Sequence, residues 1–135
     1  MNYNELITAA IDAKLQSYSP YSMFAVGAAL LTPGGTIYTG CNIENAAYTP
    51  TNCAERTAFF KAVSEGHREF TAIAIAGGYV DQDGESDYIY PCGVCRQVMS
   101  EFCSGDFVIL SVKDEEHVQE TTLKELLPHA FGMSL

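Results

Sequence analysis

Two short stretches, Asn52-Cys53-Ala54-Glu55-Arg56 and Pro91-Cys92-Gly93-Val94-Cys95-Arg96, constrain this chain most, because each sets thiols at the start of a helix. Asn52 is a favoured N-cap, and the apolar positions through Ala58, Phe59, Ala62 and Val63 predict a helix beginning at Cys53. Pro91 precedes a second helix carrying Val94, Val98, Met99 and Phe102, with Cys92 and Cys95 in its first turn. The N–H groups of a helix start favour negative charge and lower a thiol pKa. Three thiolates from two such starts make a three-ligand zinc site, with the fourth position open for water. Glu55, two residues past the first cysteine, is off its face and better placed to touch that water than the metal. The pattern is that of a hydrolytic zinc centre.

Plainer readings stand beside this one. Glu55 is also the third helical residue of an Asn-x-x-Glu capping box, and a lone Cys-x-x-Cys is shared by zinc, redox and inert sites. It is the combination of Cys-x-Glu opening one helix with Pro-Cys-x-x-Cys opening another, across an intervening strand, that is specific. A structural zinc module would need a fourth protein ligand. Cys103 lies roughly 12 Å along the helix from Cys95 at 1.5 Å per residue, which is too far. Cys41, His117 and His129 stay open as alternatives for that fourth position. His67-Arg68-Glu69 also spells a His-x-Glu upstream of the cysteine pair, which would put a histidine in the first ligand position instead. It fails on position: Gly66 closes a helix, a strand follows at once, and no helix start carries His67, which reads as an exposed loop residue.

With 135 residues, 47% of them hydrophobic, the chain reads as one domain over 1–135 with a core of its own. A net charge of −10 and only seven Lys and Arg exclude a nucleic-acid partner, which would require clustered cations. No apolar run reaches membrane-spanning length, no signal peptide is evident, and the five cysteines are odd in number. A cytoplasmic protein with reduced thiols is the expectation.

Leu6, Ile7, Ala10, Ile11 and Leu15 predict an amphipathic helix over 4–18. Residues 24–31 and 36–41 read as a hairpin turned by Pro33-Gly34-Gly35. Phe24 opens the first strand, either as an ordinary core residue or as a wall for a bound ring. Asn42 and Glu44, two apart in an extended segment, point the same way, either as a polar strand end or as a pair able to take sugar hydroxyls. Further strands are predicted at 71–76 and 107–112, and Thr122-x-x-Glu125 caps a short last helix. Between the thiol motifs, 77–90 carries Asp81, Asp83, Glu85 and Asp87; it reads as a solvated loop bordering the pocket, or as a weak cation site. The order of elements predicts an α/β sandwich on a mixed sheet.

Cys53-Ala54-Glu55-Arg56 and Pro91-Cys92-Gly93-Val94-Cys95-Arg96-Gln97 resemble the signature of the small homotetrameric zinc-dependent cytidine deaminases. The resemblance extends to Pro20-Tyr21-Ser22-Met23-Phe24-Ala25-Val26-Gly27, to Gly40-Cys41-Asn42-Ile43-Glu44-Asn45-Ala46-Ala47-Tyr48 and to Leu126-Leu127-Pro128-His129-Ala130-Phe131, nearly end to end. It implies a three-layer α/β/α sandwich and one zinc ion (Zn2+) per chain on Cys53, Cys92 and Cys95. The implied reaction is hydrolytic deamination of cytidine and 2′-deoxycytidine, with Glu55 carrying protons from zinc-bound water to ring N3 and to the leaving amine. Arg56, which the residues alone leave as either a surface or a buried group, balances the surplus thiolate charge by resemblance. The family pattern also implies that Phe24 packs on the pyrimidine, Ala54 touches the substrate, and Asn42 and Glu44 hold the ribose 3′-hydroxyl. Ala46 and Tyr48 approach a neighbouring subunit's site, and Phe131 closes over the base bound by another chain, although a tail residue packing on its own chain is the plainer alternative. A deaminase of a modified or antibiotic cytosine nucleoside fits the same motifs. Segment 77–90 departs from the family by its length.

Overall fold

The computed structural model describes residues 2–81 and 87–133; Asp83 and Glu85 of the acidic segment lie outside the described residues. The elements are α1 (Asn4–Ala13), β1 (Phe24–Leu31), β2 (Ile37–Cys41), α2 (Ala54–Ser64), β3 (Ala72–Tyr79), α3 (Gly93–Phe102), β4 (Val108–Asp114), β5 (His117–Thr122) and α4 (Leu123–Leu126). They build one five-stranded mixed sheet in the order β2-β1-β3-β4-β5. Strand β1 pairs antiparallel with β2 and β3, β3 runs parallel to β4, and β4 pairs antiparallel with β5.

Alternation along the strands divides the core into two layers. Ile73 and Ile75 of β3 pack with Ala58, Phe59, Ala62, Cys95 and Met99 beneath α2 and α3. Ala72, Ala74 and Ala76 face the other way, against Leu6, Ile7 and Ala10 of α1. The result is the expected α/β/α sandwich. Both faces of β3 are buried, as its unbroken apolar sequence predicts.

Two glycines let the helices lie close to the sheet. A Cβ on Gly27 would stand 2.2 Å from the Ala10 carbonyl oxygen of α1, and one on Gly40 would stand 2.4 Å from the Ala54 carbonyl oxygen of α2. The hairpin turns at Gly35, whose φ of +94° suits glycine and whose N–H donates to Thr32 O at 3.0 Å. Helix α2 feeds β3 and α3 feeds β4; because these strands are parallel, both helices begin at the same end of the sheet. Ligands of open α/β sheets bind at that end, beyond the carboxyl ends of the strands.

Several boundaries differ from expectation. The α-helix of α1 stops at Ala13; a 3-10 turn over Lys14–Gln16 follows, and Ser17 is already extended. Strand β5 was not expected. Its sequence, His-Val-Gln-Glu-Thr-Thr, is polar because it is an edge strand wet along most of its length, so it lacks the alternation of a half-buried strand. The turn into it is set by Asp114, whose Oδ1 accepts from the Glu116 and His117 N–H groups at 2.8 Å each. The last helix does carry the predicted capping box between Thr122 and Glu125.

Candidate active site

Cys53 and Cys92 are the N-cap residues of α2 and α3, each with extended backbone and no side-chain capping bond, so their sulfurs are left for other partners. Asn52, the expected cap, sits one residue further out, and its Nδ2 instead donates to Thr57 Oγ1 at 3.1 Å. With the cap at Cys53, Glu55 falls at the second helical position and no Asn-x-x-Glu capping box forms. The Cys53 and Cys92 sulfurs are 3.9 Å apart, those of Cys92 and Cys95 3.6 Å, and all three lie within 4.8 Å of one another. A tetrahedral zinc with bonds of about 2.3 Å requires ligand edges of about 3.8 Å. The trio therefore fits zinc in donor type and in spacing, and is far too open for a disulfide, whose sulfurs sit at about 2.05 Å.

Among the described residues, no other His, Cys, Asp or Glu joins this cluster. Cys41 instead donates to Gln16 O at 3.3 Å, and His117 pairs with Asp114 through Nδ1 at 2.8 Å. Cys103 is at the far end of α3, where burial pushes its thiol up to about 12. His67 stands apart from the cysteines, as the helix boundaries require, since Gly66 ends α2 with a φ of +101°. It is half-buried rather than exposed, because its ring packs edge-on to Tyr38 at 5.2 Å.

Arg56 Nη2 donates to Cys53 Sγ at 3.2 Å, three residues along the same helix face. The neighbouring Cys95 thiol and the Arg56 guanidinium together hold the Cys53 thiol down to about 5, while Cys95, sharing a proton with Cys53 and buried, is pushed well up. Without a cation the Cys53–Cys95 pair ionises at Cys53 first; a divalent metal removes that limit. Glu55 is 5% exposed, and burial, reinforced by the Cys53 charge, pushes its carboxyl up to about 7. A carboxyl poised near neutrality in a cleft is suited to exchanging protons with a ligand.

An open cavity of about 350 Å³ lies over Cys53, Ala54, Glu55 and Cys92. Phe24, Asn42 and Glu44 line it as well, so the structure brings these expected residues together. Phe24 is set edge-on against Tyr79, with ring centroids 5.0 Å apart. The Asn42 side chain is heavily used: Oδ1 accepts from Val26 N–H at 2.9 Å and from Ser17 Oγ, and Nδ2 donates to Phe24 O at 2.8 Å. Glu44 Oε1 accepts from the Tyr21 and Ser22 N–H groups at 3.0 Å each, and Oε2 accepts from Ser22 Oγ. The Ser22 hydroxyl first, with those backbone donors, holds the Glu44 carboxyl below its usual range.

Ala46, Tyr48 and Phe131 do not line this cavity. All three are exposed, Tyr48 at 77% and Phe131 at 73%. Tyr48 borders an adjoining hollow with Tyr21, Ser22, Glu44, Asn45 and Thr51. The segment at Phe131 is tied back to α3 by Gln97 Nε2, which donates to Phe131 O at 3.1 Å. Ser22, Thr51, Ile89 and Tyr90 were not expected among the lining. Ile89 and Tyr90 end the acidic segment, so its last residues form one wall. Only the closeness of that segment to Pro91 hinted at this.

A two-helix thiol centre at the carboxyl end of a mixed sheet, with a buried carboxylate beside it, has the make-up of a zinc-dependent hydrolase on an α/β fold. Residues 1–111 match the family described as the cytidine and deoxycytidylate deaminase zinc-binding region. The chain is 52% identical over 132 residues to a cytidine deaminase from Sporosarcina psychrophila, covering 98% of this chain and 93% of that protein. It is 35% identical to a blasticidin-S deaminase from Bacillus cereus over 92% of this chain and 88% of that one. Among solved structures, cytidine deaminase from Burkholderia pseudomallei superposes with a TM-score of 0.85 at 44% identity, covering 97% and 100% of the two chains. The Mycobacterium tuberculosis cytidine deaminase gives 0.80 at 37% identity, over 98% and 99%. The chain belongs to the cytidine and deoxycytidylate deaminase zinc-binding family.

Proposed function

We propose that this enzyme converts cytidine and 2′-deoxycytidine with water to uridine and 2′-deoxyuridine plus ammonia, working as a single catalytic domain over 1–135. The observation that carries this is a cluster of three sulfurs at zinc-ligand spacing, two of which, Cys53 and Cys92, line one cavity together with the buried Glu55. Zinc held by Cys53, Cys92 and Cys95 supplies the Lewis acidity that brings water near ionisation at neutral pH.

Glu55 takes a proton from the attacking water and delivers it to ring N3, which makes C4 electrophilic. Once the resulting hydroxide has added to C4, Glu55 takes the remaining proton from the new C4 hydroxyl and hands it to the amine. The C4–N bond then breaks and ammonia leaves as the C4 carbonyl forms, so the same carboxyl acts at both ends of the reaction. Three thiolates on a divalent ion leave a net −1, which Arg56 and the two helix N-termini offset. Phe24 packs on the base, Ala54 lies beneath it, and Asn42 and Glu44 take a sugar hydroxyl.

Further support for the plain nucleoside as substrate comes from the greater similarity to cytidine deaminases than to the blasticidin-S enzyme. Tyr48, Ala46 and Phe131, exposed and outside their own cavity, complete the sites of neighbouring chains in a homotetramer. The enzyme works in the cytoplasm with reduced thiols; no described helix is long and apolar enough to cross a membrane.

The test is loss of the cytidine ultraviolet band on incubation with zinc-loaded protein, beside a Glu55→Gln chain. The variant should keep one zinc per chain and lose about 10²–10⁴-fold in rate. No turnover by the wild type refutes the function. A variant within tenfold of wild type, or one stripped of metal, refutes the role of Glu55.

A further inference from the structure

We propose that Ser22 is the positioning residue of the sugar clamp: its hydroxyl sets the Glu44 carboxylate against Asn42, so that one sugar hydroxyl is met from both sides. This rests on the role proposed above for Asn42 and Glu44.

The direction of the Ser22 hydroxyl is fixed by its neighbours. Phe24 N–H donates to Ser22 Oγ at 3.0 Å, so the single hydroxyl proton is left for Glu44 Oε2, which accepts it. Oε1 is already held by the Tyr21 and Ser22 N–H groups. Ser22 thus grips both carboxylate oxygens, one through its backbone and one through its side chain, and Oε2 keeps an acceptor direction for a ligand.

Asn42 is restricted in the complementary sense. Both Oδ1 lone pairs are taken, by Val26 N–H and Ser17 Oγ, and one Nδ2 hydrogen is on Phe24 O. One amide hydrogen remains. The pair therefore offers one donor, from Asn42, and one acceptor, from Glu44. A hydroxyl can use both at once, whereas a carbonyl or an ether can use only the donor.

The backbone bears this out independently. Met23, between Ser22 and Phe24, has a φ of 60°, a left-handed conformation uncommon for a residue with a side chain. That kink lets Ser22 Oγ turn back onto the Phe24 N–H. It is pinned by Met23 N–H donating to Ser19 O at 2.9 Å and by Val80 N–H donating to Met23 O at 2.8 Å. Strained positions that the surroundings over-determine in this way cluster at functional sites. Ser22 lines both the main cavity and the adjoining hollow, so its hydroxyl borders the ligand space as well as the carboxylate.

The experiment compares kcat/KM for cytidine and for 3′-deoxycytidine in the wild type, Ser22→Ala and Ser22→Thr, with zinc content and Tm measured for each. Ser22→Ala should lose about tenfold on cytidine, the worth of one aligned hydrogen bond to a charged group, and change little on the 3′-deoxy analogue. Ser22→Thr, which keeps the hydroxyl, should restore the discrimination, and zinc content should stay at one per chain throughout. Equal losses on both substrates, no loss on either, or a Thr variant behaving like Ala would overturn the assignment. A wild type indifferent to the 3′-hydroxyl would refute the clamp itself, and Ser22 with it. A discriminating wild type matched by an equally discriminating Ser22→Ala would refute Ser22 alone.

Discussion

Gly40→Ala should detach the zinc centre without touching any residue in it. A Cβ there would stand 2.4 Å from the Ala54 carbonyl oxygen and 2.5 Å from the Ala58 amide nitrogen, whereas ordinary contact begins at 3.4 Å. Both obstacles are helix backbone, which cannot rotate aside, so α2 must shift by about 1 Å. Cys53 and Glu55 ride on the same turn and move with it, while Cys92 and Cys95 stay on α3. Metal–ligand distances tolerate about ±0.2 Å, and a misplacement of about 1 Å can cost about 100-fold in rate. Gly27→Ala is the matched control. It meets the Ala10 carbonyl oxygen at 2.2 Å and the Lys14 amide nitrogen at 2.5 Å, but displaces α1 on the opposite face of the sheet. Both substitutions overpack by about 1–3 kcal/mol, and Tm should fall by about 3–10 °C in each. Only Gly40→Ala should lose zinc affinity, at least tenfold by chelator competition, together with about 100-fold in rate; Gly27→Ala should keep both within a few-fold in its folded fraction. Equal metal loss in the two variants, or Gly40→Ala holding zinc like the wild type, would refute the reasoning.

Three further outcomes are expected. Cys53→Ala should strip zinc while His67→Ala leaves content and rate near wild type, as measured by metal stoichiometry; the reverse would overturn the choice of ligand. In the metal-free protein, Glu55 has its pKa raised from 4.5 to about 7, so its burial is harmless below 4.5 and costs stability as pH rises through 7. Relative to Glu55→Gln, the metal-free wild type should therefore lose about 3 kcal/mol between those pH values in denaturant titrations; a flat difference would show that Glu55 ionises freely. Finally, inactive Glu55→Gln and Phe131→Ala chains, refolded together in equal amounts, should recover activity towards about a quarter of wild type if a pocket draws these residues from different chains. A mixture as inactive as its parents would assign Phe131 to its own chain.

How much of this was legible in the sequence depends on whether local pattern or long-range pairing decides. Cysteine spacing, the Gly66 stop and the Thr122–Glu125 capping box are local, and the structure keeps them. The convergence of Cys53 with Cys92 and Cys95 depends on β3 and β4 being parallel, which periodicity does not determine; the combination of the two motifs pointed to it, and the resemblance implied it. Strand β5 escaped because an edge strand carries no hydrophobic alternation. The cap moved from Asn52 to Cys53 because Asn52 spends its amide on Thr57 instead. Ser22 was visible as part of a motif, but its part in holding Glu44 arises from a contact spanning 22 residues and a left-handed turn at Met23. No window-based pattern contains either.

The first turn of α2 divides its chemistry by helical geometry. Cys53 and Arg56 are three residues apart and share a face, which brings the guanidinium within 3.2 Å of the sulfur. Glu55, two residues past the N-cap, is turned away from that sulfur by more than half a revolution; it is buried and stays outside the ligand cluster. A carboxylate at position 56 would meet the sulfur with like charge, and an arginine at 55 would put a permanent cation where a proton must come and go. Exchanging the two residues would thus preserve composition and net charge, yet remove both the charge balance at Cys53 and the titrating group of the cavity. The order Cys-Ala-Glu-Arg matters here as much as its content: one turn of helix keeps the group that offsets the thiolate charge apart from the group that moves the proton.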